Sequence, residues 1–218
     1  AIFAHEVRNP INNISTGIQL LNNRLSEDDR NQEVVSRIHN DCLRLESLME
    51  SVLSFSRPLE PKMSELNLVE MLKLTLYRWR PRLERLDIEY DFQEISDTPK
   101  ISGDPRLLEQ VFTNLISNAV DVMEEIGGIL AMKISKSNII PNFPQVEVAI
   151  SDSGPGIPPE LIDRIFEPFV SNKPRGTGLG LAITKHIITA HRGTIDVKSY
   201  PGGTVFYVRL PALSRDFQ

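Results

Sequence analysis

Phe3-Ala4-His5-Glu6-Val7-Arg8-Asn9-Pro10 opens the chain on a helical pattern. Apolar residues recur at 7, 11, 14, 18, 21 and 25, in alternating steps of four and three. That spacing is the seam of a packed helical bundle. His5 lies two positions off the seam at Val7, so its ring is expected to point outward. Asn9, four residues on, shares its face. Pro10 has no N–H for the carbonyl of Glu6 and crowds it, so the helix should bend there. An outward imidazole on a bendable helix can receive a group from a partner domain. A surface histidine on a coiled coil would give the same pattern.

Working outward, Ser26-Glu27-Asp28-Asp29 supplies capping residues and a turn. A second helix is expected from 30 to 55, with apolar positions 38, 42, 45, 49 and 52 continuing the seam. Cys42 falls on that seam and reads as core. Two antiparallel helices have one dry face each and are thin alone. A second copy would complete a four-helix bundle, so a homodimer through this hairpin is expected. Pro58 and Pro61 then mark a linker.

The remainder changes character. A helix is expected from Asn67 to about Arg80, ending near Pro81. Asp87 to Phe92 alternates as a half-buried strand, and Lys100 to Gly103 reads as another. Asp104-Pro105 opens a helix, with the aspartate as cap and proline in the first turn, running to about Glu125 before Gly127-Gly128. Ile129 to Ile134 and Val146 to Ile150 are predicted strands, followed by a long loop from 152 to 178. A helix from Leu179 to His191 and paired strands at Thr194 to Lys198 and Thr204 to Leu210 close the chain. Strands and helices mix without strict βαβ alternation. The fold class is α+β: an N-terminal helical hairpin, then a sandwich with helices on one face of a mixed sheet. The expected divisions are 1–56 for the hairpin, 57–64 for the linker and 65–213 for the sandwich.

Composition narrows the function classes. At 218 residues with 40% hydrophobic and 24% charged, the chain is an ordinary globular protein. Its net charge of −5 argues against non-specific nucleic-acid or anionic-membrane binding. A single cysteine, Cys42, excludes internal disulfides and fits a reducing compartment. No apolar run approaches the roughly 18 residues of a membrane span, and no signal peptide is seen. The start inside a helical pattern, without an initiator methionine, suggests a fragment, so any membrane region is expected upstream.

Three stretches carry chemistry. Asn114-Leu115-Ile116-Ser117-Asn118-Ala119 lies in mid-helix, with two asparagines on one face. Asparagine is a poor interior helix former, and its amide oxygen is a hard ligand suited to Mg²⁺; a plain polar face is the competing reading. Asp152-Ser153-Gly154-Pro155-Gly156 closes a strand. Its glycines permit close approach of a flat ligand, and its carboxylate can accept from an exocyclic amine such as that of adenine; a simple tight turn is the competing reading. Gly176-Thr177-Gly178-Leu179-Gly180-Leu181 leads into a helix whose free N–H groups make an anion site. Neither a Walker loop nor the dinucleotide fingerprint matches this spacing. Lys173 and Arg175, just before it, can pair with terminal phosphates; plain solvated loop charges are the competing reading.

In this order, the stretches resemble the bacterial sensor histidine kinases of two-component systems over nearly the whole chain. His5 to Pro10 matches the H-box and Asn114 to Ala119 the N-box. Asp152 to Gly156 and Gly176 to Gly180 resemble the two glycine boxes, and Ile165-Phe166-Glu167-Pro168-Phe169 the F-box. Glu-Pro-Phe running into Lys173 is most similar to nitrogen-regulation and sporulation kinases. Asp121 and Val122 depart from the basic residue and aromatic often found there, and Ser153 stands for a commoner threonine.

The resemblance implies a HisKA-type dimerisation and phosphoacceptor hairpin followed by an ATP-binding domain of the gyrase-like group. It implies ATP and Mg²⁺ as ligands, with Asp152, Gly154 and Gly156 at the adenine. Asn114 and Asn118 would lie at the metal, Asn118 as its ligand. Lys173, Gly176, Thr177, Gly178, Leu179 and Gly180 would surround the phosphates. His5 would be the phosphoacceptor, with Glu6 orienting its ring and Asn9 placing a water for a phosphatase reaction. The implied partner is the receiver domain of a response regulator, and the hairpin is a surface open to a protein inhibitor. The implied location is cytoplasmic. A plain ATPase, a protein-serine kinase and an inactive dimeric scaffold are the competing functions. His39, His186 and His191 are expected to be structural, Trp79 to be packing, and Phe166 and Phe169 to anchor a lid in an apolar pocket.

Overall fold

The computed structural model describes residues 59–95, 98–137, 144–173 and 177–213, together with 14, 16–19, 21, 34–40, 42 and 45 nearer the N-terminus. The chain divides into two compact units, Ala1–Pro58 and Leu59–Gln218.

In the first unit every described residue is helical, on both sides of the expected turn. Ile18 and Cys42 are buried and Val35 packs against them. The other described seam residues, Ile14, Leu21, Ile38 and Leu45, remain 45–55% exposed. The four-three pattern therefore divides. Part closes the hairpin, and part stays as apolar surface that two helices alone cannot cover. His5, Glu6 and Asn9 lie outside the described residues.

The second unit begins with β1 (Ser64–Leu66), which pairs antiparallel with β3 (Ile101–Gly103). Residues 59–63, expected in the linker, are tied to this unit: Leu59 packs on its core, and the Lys62 N–H donates to Asp104 Oδ2 at 2.8 Å. Helix α1 (Leu68–Arg85) starts at Asn67, whose side chain accepts from Val69 and Glu70 N–H. The predicted stop near Pro81 is a correction: the helix continues through it. Proline removes one bond, but the fully buried Leu83 anchors the last turn in the core, and tertiary packing outweighs local propensity.

Strand β2 (Ile88–Glu94) follows, then α2 (Pro105–Met123), capped by the Asp104 side chain. The buried positions of α2 run Leu108, Val111, Phe112, Leu115, Ile116, Ala119, Val120 and Met123, one continuous apolar stripe. Strands β4 (Gly128–Ser137) and β5 (Gln145–Asp152) are longer than expected. The predicted loop beyond β5 contains a short helix, α3 (Pro159–Ile162). Helix α4 (Gly180–Ala190) and strands β6 (Thr194–Tyr200) and β7 (Gly203–Pro211) complete the unit.

The main sheet has the order β2-β4-β5-β7-β6. Only β2 and β4 run parallel, with α2 among the residues connecting them; the other pairs are antiparallel. Helix α1 packs on β2, α2 on β4 and β5, and α4 on β6. Alternate residues Leu130, Met132, Ile134, Val146, Val148, Ile150, Val208 and Leu210 are buried under them. At roughly 1.5–3 kcal/mol for each large apolar side chain removed from water, this layer is what fixes the register. Among the described residues no helix is long and apolar enough to cross a membrane.

Candidate functional site: a cleft between two helices and the end of a strand

The site is built where three elements meet. Helix α2 offers the asparagine face, β5 ends in Asp152, and α4 begins at Gly180. These, with residues between 156 and 173 and with Thr177 and Gly178, line a cleft of about 260 Å³.

Asp152 is 9% exposed. Its Oδ1 accepts from the Gly154 N–H at 2.9 Å. Burial pushes its carboxyl above the ordinary range, against hydrogen bonds from Gly154 and Thr204 N–H and the charge of Lys173. A desolvated acceptor in a cleft favours a ligand that donates a hydrogen bond.

On α2, the Asn114 Nδ2 donates to Thr184 Oγ1 of α4 at 2.9 Å. Its Oδ1 is thereby turned toward Gly180, where a Cβ would stand 2.5 Å from it. The first turn of α4 can approach α2 this closely only because residue 180 has no side chain. Lys173 Nζ donates to Asn118 Oδ1 and Asp121 Oδ2, each at 3.0 Å. An ammonium thus already stands against the amide oxygen expected to meet Mg²⁺, so the donors present fit a cation.

Gly178 has φ +68, and an added Cβ would come within 2.6 Å of the Val170 N. The Gly178 carbonyl accepts from the Phe169 N–H at 3.0 Å. Thr177 Oγ1 accepts from the Leu179 N–H at 3.3 Å, directly before α4. Helix α4 has no side-chain N-cap, and its first residues, Gly180 and Leu181, line the cleft, so its first-turn donors are left for another acceptor.

Of the residues singled out in the sequence, Asn114, Asn118, Asp152, Gly156, Lys173, Thr177, Gly178 and Gly180 line the cleft together. Gly154 and Leu179 are not among the lining residues. Gly154 supports Asp152 and sits where a Cβ would be 2.8 Å from Val122; Leu179 is buried in the wall. Gly176 and Arg175 lie outside the described residues.

Sequence reasoning missed the apolar wall formed by Val122, Leu161 and Phe206, and it missed Thr204. Thr204 had one signal: it follows Gly202-Gly203 and is the β7 partner of Asp152. The two departures noted earlier both reach the cleft, Val122 as wall and Asp121 as the partner of Lys173. Phe169 is a correction. Its φ of +67 turns the ring out, leaving it 65% exposed, while Phe166 packs edge-on against Phe206 at 6.4 Å.

Comparison with known families bears on this arrangement. The family described as histidine kinase-, DNA gyrase B-, and HSP90-like ATPase matches residues 103–214, and the His Kinase A (phospho-acceptor) domain matches residues 1–61. The chain belongs to the histidine kinase family. Among its relatives, the sensory histidine kinase/phosphatase NtrB of Rhodobacter capsulatus is 33% identical over 99% of the chain and 62% of its own length. Sporulation kinase A of Bacillus subtilis is 34% identical over 95% of the chain and 33% of its own length. The chain thus spans less than two thirds of the length of these relatives.

Among solved structures, full-length ShkA in complex with AMPPNP superposes with a TM-score of 0.78 at 28% identity, covering 98% of the chain and 46% of ShkA. Histidine kinase ThkA in complex with the response regulator protein TrrA gives 0.71 at 27% identity, covering all of the chain and 62% of ThkA. The α+β class, with its mixed-sheet ATP-binding fold, is the one expected from the sequence.

Proposed function

We propose that this chain is the kinase core of a two-component signalling protein. It binds ATP in the cleft, phosphorylates its own His5, and passes the phosphoryl group to an aspartate on a response regulator receiver domain. The observation that carries the reading is the convergence on one cleft of the buried Asp152, the amide oxygen of Asn118 and the uncapped start of α4.

Asp152 accepts from the adenine amine, and Val122 and Leu161 flank the ring. The N–H groups around Thr177, Gly178 and Gly180 hold phosphate oxygens, with Gly176 continuing that cradle. Lys173 adds positive charge. Asn118 is the protein ligand of Mg²⁺ and Asn114 its neighbour; the metal supplies charge neutralisation on the phosphates. Phosphoryl transfer depends on this alignment more than on covalent help from the protein.

Attack needs a neutral imidazole with its lone pair on the γ-phosphorus; the bond to the ADP oxygen breaks and ADP leaves. Glu6 offsets the positive charge that develops on the ring. A histidine with a pKa of about 6.5 is mostly neutral at pH 7 and above. Asn9 places a water for the reverse task on the regulator.

The modules assigned to these steps are the acceptor hairpin, expected over 1–56, and the ATP-binding unit, expected over 65–213, to which residues 59–64 of the expected 57–64 linker are joined in the structure. The hairpin forms a four-helix bundle with a second copy, supported by the exposed Ile14, Leu21, Ile38 and Leu45. It is also the surface for a protein inhibitor. The ThkA–TrrA complex supports a regulator as partner. Any membrane segment belongs to the longer protein, and the kinase core acts in the cytoplasm.

Incubation with γ-labelled ATP and Mg²⁺ tests the reading. Acid-labile, alkali-stable label on the chain is expected, and His5→Ala should abolish it. Free phosphate without labelled protein would overturn the proposal in favour of an ATPase, and acid-stable label in favour of a serine kinase.

A further inference from the structure

We propose that Lys173 is a resident cation at the metal position of α2, and that Asp121 is the anion for which the lysine and the divalent metal compete. The inference rests on the reading of Asn118 as the metal-facing residue. It adds a second ligand group and a displacement step.

Asn118 and Asp121 are one turn apart on α2, so their side chains stand on neighbouring parts of one face. Both place an oxygen 3.0 Å from the single ammonium of Lys173. Two oxygens at one distance from one nitrogen define a cation position. Both oxygens are hard, and one is charged, the donor chemistry that Mg²⁺ and Mn²⁺ select.

Asp121 is not free to swing away. Its other oxygen, Oδ1, accepts from Arg82 Nη2 of α1 at 3.4 Å, and Arg82 also stands 3.9 Å from Glu124. The carboxylate is thus held from behind by α1 and faces the cleft with Oδ2.

A divalent ion on Asn118 Oδ1 would stand where the ammonium stands, so the two exclude each other. Lys173 leaves Asp121 to the metal and becomes available to phosphate oxygens a short distance along the cleft. The ion pair is about one-third exposed on each side. Its strength is that of a partly solvated surface pair, so the competition is worth roughly threefold to fivefold in metal affinity.

Mn²⁺ binding to the purified chain, followed by its paramagnetic resonance signal without nucleotide, tests this directly. Lys173→Met should tighten Mn²⁺ by about threefold to fivefold. Lys173→Arg keeps the charge and should match the wild type. Asp121→Asn should weaken Mn²⁺, and the double variant Asp121→Asn with Lys173→Met should bind it more weakly than Lys173→Met alone. Circular dichroism and melting of each variant establish that it is folded. Unchanged or weaker Mn²⁺ binding by folded Lys173→Met would overturn the displacement, and unchanged binding by Asp121→Asn would overturn the ligand role. A fluorescent, non-hydrolysable ATP analogue is titrated in parallel. No analogue binding with the expected Mn²⁺ pattern would sink the nucleotide reading and leave the cation exchange standing.

Discussion

The Nε2 of His191 accepts a hydrogen bond from the backbone N–H of Asp104 at 2.9 Å. An accepting Nε2 puts the ring proton on Nδ1, which donates to the Ile187 carbonyl at 2.8 Å. The end of α4 is thereby fixed to the start of α2, and both helices contribute lining residues to the cleft. His191→Ala strands a buried N–H and leaves a cavity. A loss of about 2–4 kcal/mol is expected from urea denaturation. A change below about 0.5 kcal/mol, the size of an ordinary surface substitution, would remove this contact from the structural account.

Asp104 is the other half of that junction. Burial pushes its carboxyl up, but N–H donors from Lys62, Leu107 and Arg106 and the charge of Arg106 outweigh it, holding it below its ordinary value. A carboxyl lowered on folding stabilises the native state above its unfolded pKa of about 3.9, and the contribution is lost as pH falls through the folded value. Asp104→Ala should cost about 1–2 kcal/mol at neutral pH through the lost cap. Asp104→Asn, still a capping residue, should lose less and flatten the stability profile below about pH 4. An unflattened acid limb in Asp104→Asn would place the pH dependence elsewhere.

These junctions show what the sequence makes legible. Asp104-Pro105 announces a helix start because a cap and a proline act locally, and the strands show by alternation. Pro81 misleads for the opposite reason: the force that carries α1 past it is the burial of Leu83, which depends on elements distant in sequence. The cleft was legible where chemistry is concentrated in short motifs, at Asn114, Asn118, Asp152 and Gly178. Its apolar wall was not, because Val122, Leu161 and Phe206 are individually ordinary. The bond from Lys173 to Asn118 spans 55 residues, and no local pattern encodes it.

Asp152 predicts a trade between stability and binding. Burial raises its carboxyl pKa on folding. The contribution of Asp152 to stability is therefore greatest below the unfolded pKa of about 3.9 and declines as pH rises through the raised folded value. Above that folded value the ligand-free protein carries the cost of a desolvated carboxylate. Asp152→Asn should melt higher than wild type above the raised folded pKa of the aspartate and lose that advantage in acid. It should bind a non-hydrolysable ATP analogue about 10–100-fold more weakly, the worth of a charged hydrogen bond. Retained affinity would show that the adenine amine is not read by this residue.

Thr184 is expected to matter although it is almost entirely buried behind the cleft. It accepts the Asn114 Nδ2 at 2.9 Å and so decides which end of that amide faces Gly180. Thr184→Val keeps the shape and removes the acceptor. The amide then loses its partner, at about 1–3 kcal/mol, and can present its NH₂ where its oxygen stood. Weaker Mg²⁺-dependent binding of the ATP analogue is expected, by roughly fivefold for each kcal/mol carried into the complex. Thr184→Ser retains the hydroxyl and should restore binding, because the oxygen and not the methyl does the orienting. Calorimetric titration at several Mg²⁺ concentrations separates the two cases. If Thr184→Ser binds as poorly as Thr184→Val, packing of the methyl against α2 is what sets the site, and the oriented amide is not.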